Sequence, residues 1–347
     1  MAYKSMKKAD LMAAKRQLAM VMDLNKCLGC QTCTIACKTL WTSGQGPDKV
    51  KGAEGMDYMY WNNVYTMPGQ GYPRGWQEAG GGFKSSRPQK GRLPSRADYG
   101  DAWTYNYEEV FYGGKGLQEH LKPVQGDPKW GPNWEEDMGA GEYPNSYFFY
   151  LPRICNHCTT PACVEACPRS AIYKREDGIV LIDEKRCHGY RYCIEACPYK
   201  KIYWNAVKKI SQKCLFCYPR IEKKTANACA RQCPGRLRFV GFLDDQNGPI
   251  YKLVKKWKVA LPLYAEKETG PNVYYVPPLS PPKIAPDGRI LDEPRIPLDY
   301  LKQLFGPQVE TAMKTLNTEM EKKKQGGKSE LLDILIVYRF QDAFKLV

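Results

Sequence analysis

Short apolar runs precede the places where the cysteines of this 347-residue chain gather. Residues 17–24, 147–154 and 178–182 each form such a run, which is typical of a buried strand. Residues 237–243 follow the last cysteines and predict a closing strand. Because a strand, a cysteine loop and a helix recur in that order, we expect a duplicated module.

The last hundred residues have mainly helical spacing. Residues 251–259 are amphipathic, residues 276–282 form a Pro-rich extended run, and residues 297–324 and 329–343 have apolar positions at helical intervals. These patterns predict a mostly helical C-terminal tail, whose last helix packs either on the chain's own core or on a partner. No window approaches the ~20 apolar residues of a membrane-spanning helix, since even residues 331–338 include Asp333.

A long insertion, residues 41–146, is rich in Gly, Pro, Tyr and Trp and includes the motif Trp61-Asn62-Asn63. A loop of this length is normally functional or disordered, and the aromatic content argues against disorder. We expect packed irregular structure that forms a subunit interface, that shields the site below it from water, or that does both.

Fifteen cysteines form four arrays with none left over: Cys27-x2-Cys30-x2-Cys33-x3-Cys37, Cys155-x2-Cys158-x4-Cys163-x3-Cys167, Cys187-x2-Tyr190-x2-Cys193-x3-Cys197 and Cys214-x2-Cys217-x11-Cys229-x3-Cys233. Three thiolates in a tight loop can hold one iron-sulfur cluster, and in two-cluster ferredoxins the fourth cysteine ligates the partner cluster. The arrays therefore predict an α+β fold with two bacterial-ferredoxin-like di-cluster modules, a long irregular insertion and the helical tail.

Other cysteine chemistry fits this spacing less well. Disulfides favour an even number of cysteines in a small secreted chain, and zinc sites use pairs of cysteines or cysteine and histidine sets. The Cys-x3-Cys-x2-Cys spacing of radical enzymes is absent from the sequence, as are a Walker loop and a Gly-x-Gly-x-x-Gly fingerprint. No catalytic residue is predicted.

The crossed-ligand rule, applied to the outer arrays together and the inner arrays together, predicts four ligand sets. Set one is Cys27, Cys30, Cys33 and Cys233; set two is Cys37, Cys214, Cys217 and Cys229; set three is Cys155, Cys158, Cys163 and Cys197; set four is Cys167, Cys187 and Cys193. For the outer arrays, pairing between neighbouring arrays is an alternative that topology must decide.

Tyr190 stands at the second position of the third array, where the other arrays have Cys30, Cys158 and Cys217. A phenol is bulkier and harder than a thiolate, so we expect one 3Fe-4S cluster at set four beside three 4Fe-4S clusters. The alternative is a fourth iron held by water or hydroxide. Loss of one thiolate and one iron should raise the potential of that cluster.

The formal net charge of +15 is partly a counter-charge for these clusters. Each ligated cluster adds about −2, which lowers the charge of the loaded protein to about +7. Basic runs at residues 252–256 and 322–324 come without any nucleic-acid motif and are expected to be solvated or to meet an acidic protein. No nucleic-acid partner is predicted.

Several motifs together resemble a known family: Cys27-Leu-Gly-Cys30-Gln-Thr-Cys33-Thr-Ile-Ala-Cys37-Lys38, Tyr60-Trp61-Asn62-Asn63, Gly139-Ala-Gly-Glu-Tyr-Pro144, Cys155-Asn-His-Cys158 and Cys187-His-Gly-Tyr190-Arg-Tyr-Cys193. Over nearly its whole length the chain resembles the four-cluster beta subunits of type II dimethyl-sulfoxide-reductase-family molybdoenzymes. The family includes ethylbenzene dehydrogenase, dimethylsulfide dehydrogenase, selenate reductase and chlorate or perchlorate reductase, with respiratory nitrate reductase more distant.

The resemblance implies an electron-transfer subunit that is not an enzyme by itself. Its partners would be an alpha subunit that holds molybdopterin and a gamma subunit that holds haem b, and the family's crossed ligation matches the four sets. Compact length and Tyr190 favour the periplasmic branch, in which the beta subunit is co-exported with an alpha subunit that carries a twin-arginine signal. The cytoplasmic face of the membrane is the alternative.

Overall likeness favours a complex for ethylbenzene-type dehydrogenation. The alternatives are the same role in a selenate, chlorate or nitrate reductase, or a free-standing polyferredoxin. The predicted segments are residues 1–40 and 211–245 for the first ferredoxin-like module, 41–146 for the insertion, 147–210 for the second module and 246–347 for the C-terminal interface tail.

Overall fold

The computed structural model describes residues 8–43, 55–56, 58–69, 71–77, 79–81, 92–99 and 139–346. Much of the predicted insertion, residues 100–138 above all, lies outside the described residues. The strands are β1 (Leu18–Asp23), β2 (Asn63–Met67), β3 (Phe149–Arg153), β4 (Ile172–Lys174), β5 (Val180–Ile182), β6 (Ile202–Asn205), β7 (Ile210–Lys213), β8 (Arg238–Phe242), β9 (Leu261–Pro262), β10 (Val273–Val276), β11 (Pro282–Ile284), β12 (Ile290–Pro294) and β13 (Phe344–Lys345).

Most of the helices are short. They are α1 (Lys8–Met12), α2 (Thr32–Cys37), α3 (Ala162–Glu165), α4 (Tyr192–Ala196), α5 (Tyr218–Ile221), α6 (Ala228–Arg231), α7 (Pro249–Tyr251), α8 (Leu298–Phe305), α9 (Val309–Lys324) and α10 (Glu330–Ile336). The mixture of short helices and largely antiparallel strands fits the predicted α+β class.

The largest sheet has five strands in the order β13-β8-β1-β10-β9. Its central strand β1 pairs antiparallel with β8, where Met20 lies opposite Val240, and parallel with β10, where Met20 lies opposite Val273. The loop after β1 carries the first cysteine array and the loop before β8 carries the end of the last one. The sheet therefore brings the outer arrays together from opposite ends of the cysteine region.

Both faces of β1 are buried, which explains why residues Leu18 to Met22 are all apolar. Met20 and Met22 point into the main core, whereas Ala19 and Val21 point into a second core on the other side of the sheet. The predicted strands at residues 17–24, 147–154, 178–182 and 237–243 are confirmed as β1, β3, β5 and β8.

A strand, a cysteine loop and a helix follow one another four times. β1 leads to α2, β3 to α3, β5 to α4, and β7 to α5 and α6. The antiparallel pair β4–β5 lies between the two inner arrays, and the antiparallel pair β6–β7 lies between the third array and the last one. Strand β2 pairs antiparallel with β3. Helices α3 and α4 pack together, as α2 and α6 do.

The prediction of a mostly helical tail is wrong in part. Helices α8, α9 and α10 are present, but the tail also supplies β9, β10 and β13 to the main sheet and forms the hairpin β11–β12. The sequence of β10, Val273-Tyr-Tyr-Val276, is β-branched and aromatic throughout, and such residues suit a pleated, buried surface. Gly306, at φ 82°, separates α8 from α9 within the predicted helix.

The last helix packs on the chain's own core. Leu331 and Leu335 lie in the second core with Val21 and Phe239. Val337, at φ 54°, ends α10 before the predicted residue 343. In the described part of the chain, every helix is too short or too polar to cross a membrane.

Most of the described aromatic residues of the insertion pack in the main core, whereas Tyr143 is 93 % exposed. Buried examples are Tyr60, Trp61, Tyr65, Tyr72 and Trp76. Among them, the rings of Tyr60 and Tyr72 meet edge to face with centroids 6.0 Å apart. The described parts of this segment therefore pack against the cysteine loops, as the composition of the segment indicates.

Candidate iron-sulfur centres

All four cysteine loops turn in the same way. The third residue of each loop has a left-handed backbone: Gly29 at φ 67°, His157 at φ 43°, Gly189 at φ 68° and Phe216 at φ 52°. Glycine adopts this conformation without strain. Because the four loops share this turn, the next residue occupies an equivalent place in each, and Tyr190 therefore stands where Cys30, Cys158 and Cys217 stand in the other loops.

The thiols of set two lie together in a buried site. Cys37, Cys214, Cys217 and Cys229 are all buried. Burial raises the pKa of Cys37 well above its usual range, and repulsion from the other three thiols raises it further. Helix α2, which ends at Cys37, packs against α6, which carries Cys229, and this packing joins the first and last arrays.

Set one lies beside set two but reaches the surface. Burial raises the pKa of Cys27 to about 12, with further contributions from Cys33 and Cys233. Cys30 is exposed, next to the exposed Leu28. The spacing left open whether the first array joins the last array or its nearest neighbour, and the structure brings it to the last array.

Set three surrounds a cavity. All four thiols, Cys155, Cys158, Cys163 and Cys197, line it. Burial raises the pKa of Cys163, and repulsion from Cys197, Cys155 and Cys158 adds to the shift, although Lys213 opposes it. The other lining residues are largely buried, among them His157, Tyr199 and Lys201.

Set four surrounds a similar cavity. Cys167, Cys187 and Cys193 line it, together with Tyr190. Burial raises the pKa of Cys193 to about 12, and repulsion from Cys187 and Cys167 contributes. Tyr190 is 54 % exposed, and its ring lies nearly parallel to those of His188 and Tyr192 along the rim of this cavity.

Hydrogen-bond donors surround the sulfur atoms. Backbone N–H groups donate to sulfur from Phe216 to Cys214 at 3.3 Å, from Ala171 to Cys167 at 3.3 Å and from Ser211 to Cys187 at 3.4 Å. The indole of Trp41 donates to Cys217 at 3.2 Å. Such bonds stabilise negative charge on sulfur, which is the form that binds iron.

His157 supplies a further donor at the cavity of set three. Its Nδ1 accepts the backbone N–H of Val180 at 3.1 Å, which places the imidazole proton on Nε2. Nε2 is buried without a hydrogen-bond partner in the described part of the chain. Four thiols, a cavity between them and an unused donor at its wall fit an anionic iron-sulfur cluster.

Within the described ranges, no three His, Cys, Asp or Glu side chains converge on one point as the ligands of a single metal ion do. A cubane spreads its ligands over separate irons, so this finding is compatible with the cavities described above.

Two buried cations beside the thiols were not predicted from the sequence. Arg238 donates to Cys33 Sγ at 3.3 Å and Lys201 lines the cavity of set three. Both side chains are 1 % exposed. The only sequence signal was the motif Trp61-Asn62-Asn63, whose two asparagines contact them.

Comparisons with known proteins agree with this geometry. A 4Fe-4S dicluster domain family matches residues 146–243. The chain is 61 % identical to the respiratory nitrate reductase subunit beta of Haloferax mediterranei, a match that covers 92 % of this chain and 90 % of the relative. It is also 56 % identical to the dimethylsulfide dehydrogenase subunit beta of Rhodovulum sulfidophilum, over 96 % of this chain and 99 % of the relative.

A third relative is the selenate reductase subunit beta of Thauera selenatis, which is 55 % identical over 95 % of this chain and 99 % of the relative. This chain belongs to the beta-subunit family of type II dimethyl-sulfoxide-reductase-family molybdoenzymes. It is an iron-sulfur electron-transfer subunit of that family, as its motifs predicted.

The expectation that respiratory nitrate reductase is the more distant branch is confirmed by one relative and contradicted by another. The nitrate reductase beta chain of Bacillus subtilis is 34 % identical to this chain. The relative from Haloferax mediterranei also carries the name of a respiratory nitrate reductase, yet its identity is higher than that of the other two relatives above. The substrate in a relative's name therefore does not by itself place that relative within the family.

Proposed function

We propose that this beta subunit relays electrons between a molybdopterin alpha subunit and a haem b gamma subunit through three 4Fe-4S clusters and one 3Fe-4S cluster. The main observation that supports this proposal is that the fifteen thiols gather into the four sets described above. When bound, each cluster supplies reversible one-electron chemistry on an iron-sulfur core.

The ligands in this proposal are those of the four sets. Cys27, Cys30, Cys33 and Cys233 hold the first 4Fe-4S cluster, Cys37, Cys214, Cys217 and Cys229 the second, and Cys155, Cys158, Cys163 and Cys197 the third. Cys167, Cys187 and Cys193 hold the 3Fe-4S cluster, with Tyr190 at the place of the missing ligand. The shared left-handed turn before Tyr190 supports this assignment.

The two-module arrangement follows from the same contacts. Sets one and two share the first and last arrays and form one ferredoxin-like module, while sets three and four share the two inner arrays and form the other. The chain's own residues hold the clusters by thiolates, stabilise sulfur charge by N–H donors and exclude water with the buried aromatic layer.

Exposure suggests where electrons enter and leave. Set one reaches the surface at Cys30 and Leu28, and set four at Tyr190 and Tyr192, whereas every thiol of set two is buried. We place the alpha subunit beside set one and the haem subunit beside set four, with sets two and three between them. The electrons can flow in either direction through this order of sets.

Iron analysis and EPR of the complex, isolated anaerobically with its native partners, test the relay. We expect fifteen irons for this chain's clusters and a near-isotropic 3Fe-4S signal in the oxidised protein. Sixteen irons without that signal would contradict the 3Fe assignment. Elution of the native chain alone, as a free 39.6 kDa species, would contradict the subunit role.

Ethylbenzene-type dehydrogenation is the proposed reaction of the whole complex. The second candidate is oxyanion reduction, which is favoured by relatives named for nitrate and selenate reductase. Bleaching of the iron-sulfur absorption on addition of ethylbenzene would support the first. Reoxidation of dithionite-reduced clusters by nitrate, selenate or chlorate, with no bleaching by ethylbenzene, would support the second.

The proposed location is the periplasm, reached by co-export with a twin-arginine-signal alpha subunit. Fractionation of cells with and without a working twin-arginine pathway tests it. Periplasmic recovery that depends on the pathway is expected, whereas recovery on the cytoplasmic face of the membrane in both strains would contradict it.

A further inference from the structure

Two neighbouring asparagines each hold a buried cation. Arg238 donates from Nη2 to Asn62 Oδ1 at 2.7 Å, and the ammonium of Lys201 donates to Asn63 Oδ1. Asn62 and Asn63 are 1 % and 0 % exposed. Successive residues of an extended chain point to opposite sides, so one dipeptide at the start of β2 reaches two cations in different places.

Arg238 lies between sets one and two. Its Nη2 is 3.3 Å from Cys33 Sγ of set one. Burial lowers the pKa of Arg238, but Cys33, Cys229 and Cys233 outweigh that effect and raise it above the usual range. Cys229 belongs to set two, so this guanidinium faces thiols of both sets.

Lys201 lies between sets two and three. It lines the cavity of set three, and Asn63 and the Tyr203 hydroxyl, at 3.1 Å, accept from its ammonium. Burial and repulsion from the Arg153 guanidinium lower the pKa of Lys201 well below its usual range, while Cys214 and Cys37 of set two and Cys155 of set three act in the opposite direction. This ammonium therefore adjoins the junction of the two modules.

The oxygens that orient both cations are neutral. Arg238 meets an amide oxygen, and Lys201 meets an amide oxygen and a phenol whose proton goes to Tyr60 O at 2.6 Å. Within the described ranges, neither cation forms an ion pair with Asp or Glu. A buried charge needs a counter-ion, and a bound cluster with its thiolates carries the required negative charge.

We propose that Asn62 and Asn63 are positioning residues that hold Arg238 and Lys201 as shared counter-charges of the clusters, Arg238 for sets one and two and Lys201 for sets two and three. The inference rests on the proposed function. A fixed positive charge stabilises a reduced cluster more than an oxidised one and so raises its potential. Asparagine orients the cation without neutralising its charge, whereas an aspartate at the same place would neutralise that charge.

EPR-monitored redox titration of the anaerobic native complex tests this inference in two isosteric variants, Asn62→Asp and Asn63→Asp. Asn62→Asp should move the midpoint potentials of sets one and two to more negative values, and Asn63→Asp those of sets two and three. Set two should move in both variants. The 3Fe-4S signal of set four should move in neither.

Two further variants, Lys201→Met and Lys201→Arg, test the charge of Lys201 without introducing the carboxylate that the aspartate variants add. Lys201→Met should reproduce the shifts of Asn63→Asp, and Lys201→Arg should retain wild-type potentials because it keeps the charge. Asn205→Asp is the matched control, since Asn205 is 0 % exposed and its side chain contacts Gln212 and backbone N–H groups of its own turn. It should leave set two unchanged.

The possible results separate the inference from the function on which it rests. Iron-sulfur signals with unchanged potentials, or with one uniform shift that includes set four, would overturn the inference and leave the relay standing. A wild-type complex without iron-sulfur signals from this chain would overturn both. The set-by-set shifts described above would support the inference.

Discussion

Sets three and four belong to the same pair of arrays but differ in their surroundings. Their cavities have similar size. The walls of the first are mostly buried and include the cation Lys201, whereas the rim of the second carries exposed aromatic rings at His188, Tyr190 and Tyr192. One loop geometry can therefore be enclosed by buried side chains or carry an exposed aromatic rim, depending on what packs over it.

The largest effect is expected from removing a cysteine ligand of set three. Cys163→Ser replaces a thiolate by a hydroxyl and should abolish one 4Fe-4S signal. Electron flow through the complex should fall more than about 100-fold, which is a larger loss than that from removing a side chain that only hydrogen-bonds a ligand. The reason is that the proposed path has no route around set three. Steady-state transfer from substrate to the terminal acceptor measures it.

Cys163→Ala is the control, because a serine hydroxyl could still bind iron weakly whereas alanine cannot bind it. Both variants should retain the 3Fe-4S signal of set four, since Cys163 lies in the other cavity. Loss of both signals together would show that the clusters of sets three and four do not assemble separately.

The next largest effect should come from converting the type of cluster at set four. Tyr190→Cys restores a thiol at the place of Cys30, Cys158 and Cys217 and should convert the 3Fe-4S cluster into a 4Fe-4S cluster. The near-isotropic signal of the oxidised protein should disappear and iron content should rise by one. Tyr190→Phe is the matched control and should retain the signal; if it does not, the phenol oxygen binds the site.

The smallest effect is expected from one hydrogen bond. Ser211 Oγ lies 3.4 Å from Cys193 Sγ, and its backbone N–H donates to Cys187 independently of the side chain. Ser211→Ala should remove about 1 kcal/mol of stabilisation from sulfur charge and lower the potential of set four by about 40 mV. Redox titration of the 3Fe-4S signal measures the shift.

Thr269→Val is the counterpart at set three, because the Thr269 side chain hydrogen-bonds Cys158 and lowers its pKa against the larger effect of burial. It should shift set three and leave set four unchanged. Equal shifts of both sets in either variant would mean that the two cavities do not respond separately to their neighbours.

Much of the fold around the cysteines could be predicted because the signals are local. The apolar runs before the arrays became β1, β3 and β5. The strand β10 was not predicted, although Val273-Tyr-Tyr-Val276 has a strand composition, because it adjoins a Pro-rich run and proline disfavours strand pairing. Helix α10 ends early because Val337 turns left-handed, which neither its apolar spacing nor its residue type indicates.

By itself, the sequence determined the kind of cofactor, the four arrays and the exceptional place of Tyr190, because cysteine spacing within a loop is local and covalent. Only the tertiary structure decided that the first array lies beside the last one, through the pairing of β1 with β8, and that Arg238 and Lys201 are buried among the thiols. Those facts join residues far apart in the chain, and the contacts that join them depend on the whole packed core.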